Sequence, residues 1–259
     1  MRLLTHVLPV ALITVGLVMA CSTSPTGRTQ LRLVGDEQLS QMGVTAFTQM
    51  KQEMPLAKSS ATRSYVDCVA RAITAQVPSR VAWEVQTFES KDVNAFALPG
   101  GKIGVYTGLL EVASTQDQLA AVIGHEVAHV LAGHSASRVS NEIATQFGMQ
   151  IFSATTGYNP ELVGLGANLL VLLPFSRGDE SEADILGLDY MARAGFDPRA
   201  AVTLWQNMAR ASGGKAPAEF MSTHPSNDSR IRDITAQLGT VLPVYQQARA
   251  AGRNPGCKR

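Results

Sequence analysis

His125, Glu126 and His129 stand in the order His-Glu-x-x-His, inside a run whose apolar residues recur at helical spacing. At ~100° per residue, side chains four apart fall on one helix face, so the two imidazoles can grip one cation. Glu126 then lies beside the first ligand, where its carboxylate can take a proton from a water that the cation polarises. That is the chemistry of metal-assisted hydrolysis, and nitrogen-rich ligation of this kind favours a single Zn2+ per chain. Two helix histidines beside a surface glutamate would read the same way, so the discrimination rests on the surroundings.

A catalytic zinc takes three protein ligands and keeps a position for water. His134 is the tenth residue counted from His125, after Gly133 as the ninth, whereas metzincins place glycine eighth and histidine eleventh. On a continuous helix His134 points ~180° away from His125, so it reads as a surface or outer-layer residue. The run Glu180-Ser181-Glu182-Ala183-Asp184 offers a better route. Glu180 and Asp184 are one turn apart on one face, which suits one carboxylate on the metal and the other behind a ligand histidine. Glu182 faces elsewhere and reads as solvated. Such an acidic run also suits an ordinary helix start.

The elements that must position these residues are mostly helical. Helical periodicity covers 36–54, 62–76, 140–154, 160–173, 180–194, 198–211 and 228–238, with strand-like alternation over 81–89, 94–98 and 102–107. Pro99-Gly100-Gly101 joins the last two strands as a turn. Ser114, three residues before Asp117, resembles a helix-capping box and opens the motif helix, which runs to about His134. The expected class is α+β: a mainly helical body with a small β-sheet. The apolar, glycine-dotted stretch 148–175 reads as a core helix, with a mobile lid or a surface for membrane or unfolded chains as the alternative.

The chain has 259 residues, 45% hydrophobic and 17% charged, with a net charge of +1. The charge balance and the lack of a basic tract argue against nucleic-acid binding. Arg2, the apolar run from Val7 to Ala20, and Cys21 read as a secretory leader over 1–20. Val18-Met19-Ala20-Cys21 resembles a bacterial lipoprotein box, which implies cleavage before Cys21 and lipidation of that residue, with an ordinary leader as the alternative. Ser22 after the cysteine resembles an outer-membrane address, and the Ser/Thr/Pro/Gly-rich residues that follow read as a tether within 21–35. The remaining 36–259 suit one catalytic domain. Cys68 and Cys257 are then an even pair in an oxidising compartment, candidates for a disulfide or two free thiols.

His125–His129 followed by Glu180-x-x-Ala-Asp184 resembles the gluzincin family that contains the CAAX prenyl protease and the heat-shock protease HtpX. Asn94–Gly101 and Ser222-Thr223-His224-Pro225-Ser226, with Arg230-Ile231 after them, resemble two further stretches of that family. The likeness covers roughly 38–237 and is nearest to the periplasmic LoiP-like and BepA-like lipoprotein proteases. It implies a zincin metalloprotease domain in which His125, His129 and Glu180 bind zinc and Asp184 stands behind them. It further implies that Glu126 is the general base and that His224 approaches the metal, either assisting the carbonyl oxygen or filling the open position. Phe96, Ala97 and Leu98 could present a strand edge to an extended substrate, with a buried strand as the alternative. Arg230 could steady a carboxylate, or serve the structure alone.

The expected function is a zinc-dependent endopeptidase, lipid-anchored at the outer membrane and facing the periplasm. Its expected partners are unfolded or misassembled envelope proteins, the membrane itself through the N-terminal lipid, and outer-membrane assembly machinery. The alternative is an envelope chaperone or assembly factor whose protease site is masked by His224.

Overall fold

The computed structural model describes residues 21–156, 174–212, 219–224 and 228–259. The leader, the helix expected over 160–173, and Pro225 and Ser226 lie outside them. The described chain opens on two short strands, β1 (Cys21–Thr23) and β2 (Thr29–Leu31), paired antiparallel in a hairpin. The segment expected to run as a tether is therefore folded against the body.

Helix α1 (Asp36–Glu53) carries Asp36 and Glu37 in its first turn, where carboxylates suit the exposed N–H groups. Helix α2 (Ser60–Thr74) begins two residues earlier than its periodicity suggests, because Ser59 Oγ accepts the Thr62 N–H at 3.2 Å. Strands β3 (Glu84–Phe88), β4 (Ala95–Leu98) and β5 (Lys102–Tyr106) form a mixed sheet in the order β3-β5-β4. β5 runs parallel to β3 and antiparallel to β4, with Ala97 opposite Ile103. Alternation sends Ala95, Ala97, Ile103 and Val105 into the main core. Phe88, Phe96, Leu98 and Tyr106 point the other way, into a smaller core completed by Leu39 and Phe47 of α1. Both faces of the sheet are thus covered.

After the single-turn α3 (Leu109–Val112) comes the motif helix, α4 (Gln116–Leu131). Its cap lies one residue later than expected. Thr115 Oγ1 accepts the Gln118 N–H, and the Gln118 side chain accepts the Ser114 N–H at 2.9 Å. Asp117 instead accepts the Asp197 N–H. Every residue from Gln118 to His129 is buried, as a helix surrounded on all sides requires. The helix also stops earlier than expected: Gly133 takes φ +70°, which reverses the chain and starts α5 (His134–Thr156).

Helix α6 (Arg177–Arg193) packs closely on α4. The approach depends on a pair of glycines. A Cβ on Gly124 would lie 2.8 Å from Gly187 O, and one on Gly187 would lie 2.8 Å from His125 N. Ser176 and Asp179 form a reciprocal capping box that brings the first turn, and Glu180 with it, to the α4 surface. Helices α7 (Ala200–Ser212), α8 (Glu219–Thr223) and α9 (Asp228–Ala250) complete the described body. The expected end of α9 at 238 is overrun. Gly239 and Pro243, residues that ordinarily punctuate helices, sit inside it while Val241 and Ala248 face the core. The tail then returns to α2, where Cys257 is bonded to Cys68 across 189 residues. The architecture is α+β and mainly helical.

Two outcomes are expected from this packing. Gly187→Ala should destabilise the fold by about 1–3 kcal/mol through overpacking, whereas Gly239→Ala meets open space and should gain up to about 1 kcal/mol. Urea midpoints check both. Replacing Cys68 and Cys257 by alanine together should cost about 3–5 kcal/mol, the scale set by closing so long a loop, read from denaturation of the two forms.

Candidate metal centre

His125 and His129 share one face of α4, and their Nε2 atoms are 3.0 Å apart. Helix α6 brings Glu180 against them, with Oε2 3.4 Å from His125 Nε2 and Oε1 3.3 Å from His129 Nε2. His224 closes the group from just beyond α8: its Nδ1 lies 3.0 Å from Glu180 Oε1 and 3.2 Å from His125 Nε2. The four donors all fall within 4.8 Å of one another, and each residue is at most 3% exposed.

These separations cannot all be hydrogen bonds. Asp184 Oδ1 lies 3.0 Å from His125 Nδ1, and a carboxylate only accepts, so in the neutral, ligating ring that nitrogen carries the proton and Nε2 holds the lone pair. That lone pair faces His129, His224 and a carboxylate at once. Donors at 2.0–2.1 Å from a tetrahedral zinc stand roughly 3.3 Å apart; the close pairs here stand 3.0–3.4 Å apart and all four donors within 4.8 Å. The residues present fit one zinc ion.

The electrostatics point the same way. Burial drives the His129 imidazole well below its ordinary pKa, and His125 and His224 add to the effect, so it is neutral and ready to ligate. For His125 burial also opposes charge, but Glu180 and Asp184 outweigh it and raise the pKa to about 9, so the site favours a positive charge at Nε2, a proton or a cation in its place. Burial raises the Glu180 carboxyl, yet His125 and His224 more than reverse this and hold it below the usual carboxylate range. Such a donor set calls for positive charge in its midst.

Arg230 supplies structural support from α9. Its guanidinium donates to Glu180 Oε2 at 2.6 Å and to both Asp184 oxygens at 2.8 Å, with its Cζ 3.6 Å from the Trp205 ring centroid. The Asp184 carboxyl is raised by burial and lowered by Arg230 and His125, with a net downward shift. Arg230 thus holds the ligand carboxylate and the carboxylate behind His125 together. Phe175 stacks on His129 at 3.9 Å, and Phe220 stacks on His224 at 4.4 Å. Of the stretch 148–175, only this phenylalanine, Pro174 and the backbone to Thr156 are described.

Glu126 is buried beside the cluster. Its Oε2 accepts the Ala97 N–H at 3.0 Å, and its Oε1 lies 3.3 Å from His224 Nε2. Burial raises its pKa against the lowering effects of His224 and His125. Phe96 and Leu98 turn into the smaller core, so in this arrangement the β4 edge is engaged by Glu126.

Two residues depart from their sequence reading. Glu182 is not solvated: it is 1% exposed, because the N-terminal hairpin covers the face of α6 turned away from α9. His134 is fully buried behind His129, its Nδ1 2.9 Å from His129 Nδ1 and its Nε2 3.3 Å from Glu182 Oε2. The turn at Gly133 overrides the phase argument that pointed it away. No spacing signal would have paired these residues, since the contact depends on that turn and on the hairpin.

A His-Glu-x-x-His helix completed by a glutamate from a second helix forms a site of the zinc-dependent metallopeptidase class. Comparison with known proteins agrees: the model of peptidase family M48 matches residues 58–238, and the chain belongs to this family. It is 43% identical over 180 residues to the mitochondrial metalloendopeptidase OMA1 of Schizosaccharomyces pombe, covering 68% of this chain and 53% of that protein. It is 31% identical over 248 residues to the mitochondrial metalloendopeptidase OMA1 of Homo sapiens, covering 85% and 46%. The β-barrel assembly-enhancing protease of Yersinia pestis is 28% identical over 214 residues, covering 78% and 44%. The chain spans about half the length of these relatives.

Zinc added to metal-free protein is expected to raise the thermal midpoint, with one equivalent saturating the response. His129→Ala should abolish that response, as calorimetry with metal analysis would show.

Proposed function

We propose that this chain is a lipid-anchored endopeptidase of the bacterial envelope, held in a closed state by His224 and acting on unfolded or misassembled proteins. The observation that carries the reading is the double engagement of His224. Its Nδ1 sits among the metal donors while its Nε2 faces the Glu126 carboxylate. One side chain thereby fills the position a substrate needs and occupies the group that must accept a proton.

Departure of His224 would release both. Glu126 then takes a proton from the attacking water and returns it to the leaving amine. Zinc held by His125, His129 and Glu180 would supply the Lewis acidity for the scissile carbonyl and for that water. With Glu126 re-engaged on water, the Ala97 N–H is free to pair with the main chain of an extended substrate along β4. His224, still tethered nearby, can donate to the developing charge on the carbonyl oxygen. Arg230 and Asp184 keep the ligand carboxylate and His125 in place throughout.

The envelope setting is supported by the leader-like N-terminus with Cys21, by the Cys68–Cys257 bond, which suits an oxidising compartment, and by the likeness to β-barrel assembly-enhancing proteases. That likeness also favours assembly intermediates of envelope proteins as substrates, in the manner of LoiP-like and BepA-like members. No helix among the described residues is long and apolar enough to cross a membrane. The buried, His224-capped site equally favours a second reading, a chaperone or assembly factor that rarely cuts.

Purified mature wild type, Glu126→Gln and His224→Ala separate these readings. All three should hold zinc. Glu126→Gln should cleave a reduced, unfolded protein about 10²–10⁴-fold more slowly than wild type, the usual contribution of a general base. His224→Ala should raise initial cleavage if masking dominates. Retained binding of the unfolded protein, with no cleavage by wild type or His224→Ala, would favour the chaperone.

A further inference from the structure

The N-terminal hairpin reaches the metal centre through a chain of polar contacts, part-buried at the hairpin and buried at the histidines. Glu182 Oε1 accepts the Thr26 N–H at 3.1 Å, and Oε2 accepts from Arg28 at 3.0 Å. Arg28 also pairs with Asp179 at 3.0 Å, and Ser24 Oγ accepts the Arg28 N–H. The Glu182 carboxylate can only accept from His134, so His134 Nε2 carries the proton and its Nδ1 is bare. That bare nitrogen faces His129 Nδ1 at 2.9 Å, which must then be the protonated one. His129 Nε2 is left as the lone pair directed at the metal donors. Each contact fixes the tautomer of the next.

We propose that Glu182 and His134 are positioning residues of the zinc centre, and that docking of the N-terminal hairpin through Thr26 and Arg28 sets how tightly zinc is held. The proposal rests on His129 being a zinc ligand. A hydrogen-bonded carboxylate behind a ligand histidine orients the ring and raises its basicity. His125 has one directly in Asp184. For His129 it arrives at one remove, through His134, and its far end lies on a different segment of chain. The hairpin is marginal alone: each of its strands has three residues and, among the described residues, pairs only with the other. Beyond the Glu182 and Asp179 contacts, β2 lies against α5, and just past it the Leu33 N–H donates to Ser140 Oγ at 2.8 Å. Docking and zinc binding therefore share one set of contacts, and coupling between them is reciprocal. The hairpin begins at Cys21, so a pull or release at that residue would act on the same contacts.

The test measures zinc affinity by chelator competition and records the visible spectrum of the cobalt-substituted protein. The variants are Arg28→Ala, Glu182→Gln, His134→Leu and the double variant Arg28→Ala with His134→Leu. Glu182→Gln preserves volume, and Arg28 is partly exposed, so both remain informative if His134→Leu folds poorly. In that case Arg28→Ala is combined with Glu182→Gln instead. Glu182→Gln and His134→Leu are expected to weaken zinc by about 10–100-fold and to shift the cobalt bands. Arg28→Ala should weaken it severalfold alone and add nothing once the relay is broken, where an unrelated structural effect would add. Hydrogen exchange of the amides of 21–33 should slow when zinc binds wild type. Unchanged affinity and cobalt spectrum in folded Glu182→Gln, or a fully additive Arg28→Ala effect, would overturn the proposal. His129→Ala is the control: if it binds zinc as tightly as wild type, the ligand assignment itself fails.

Discussion

Everything in this fold answers to one constraint: lone pairs from three imidazoles and a carboxylate converge on one point inside the protein. Without a cation there, buried acceptors would face each other at hydrogen-bond distance with too few protons to share. The surroundings meet that demand in layers. Helix α4 is buried on every side, so its histidines cannot turn to solvent. Gly124 and Gly187 let α6 come close enough for Glu180 to reach both of them. Arg230 then balances two carboxylates that would otherwise repel each other, and removing one member of such a buried group is far costlier than never having built it.

The same convergence underlies the closed state proposed for this site. His224 arrives at the end of a short helix that is tied by backbone bonds from Phe220 to Val93 and from Phe175 to Thr223. Its ring lies between Phe175 and Phe220. It is therefore held by two backbone bonds and two ring contacts at the end of a five-residue helix, whereas the α4 ligands sit on a long helix buried on every side. A site closed by its least anchored member can open without disturbing the other donors. Opening would also favour release of the β4 edge, because Glu126 Oε1 lies 3.3 Å from His224 Nε2 while its Oε2 accepts the Ala97 N–H.

Much of the centre was legible in the sequence because helical phase is local. The four-residue spacing of His125 and His129, and of Glu180 and Asp184, places each pair on one face whatever the tertiary fold, and the structure sets them in contact. His134 and Glu182 were misread for the complementary reason. Their positions follow from a reversal at one glycine and from a hairpin docked on the far face of α6, neither of which leaves a periodic trace. Arg230 was marked only by the family resemblance, as a residue that could steady a carboxylate; it steadies two, whose positions 46 and 50 residues away no local spacing reveals. The turn-rich composition of 22–29 describes hairpins and linkers equally, and only its contacts with Glu182 and Asp179 distinguish them. Helix α9 outran its expected end because core contacts at Val241 and Ala248 outweigh the local cost of Gly239 and Pro243.

Zinc K-edge absorption spectroscopy on the purified resting protein tests the central claim most directly. The account predicts one zinc per chain in a four-coordinate shell of nitrogen and oxygen at about 2.0–2.1 Å. Multiple scattering should show three imidazoles, falling to two in His224→Ala. A shell with two imidazoles in the wild type would contradict the closed state. A sulfur-bound or six-coordinate zinc, or no stoichiometric metal at all, would contradict the centre itself.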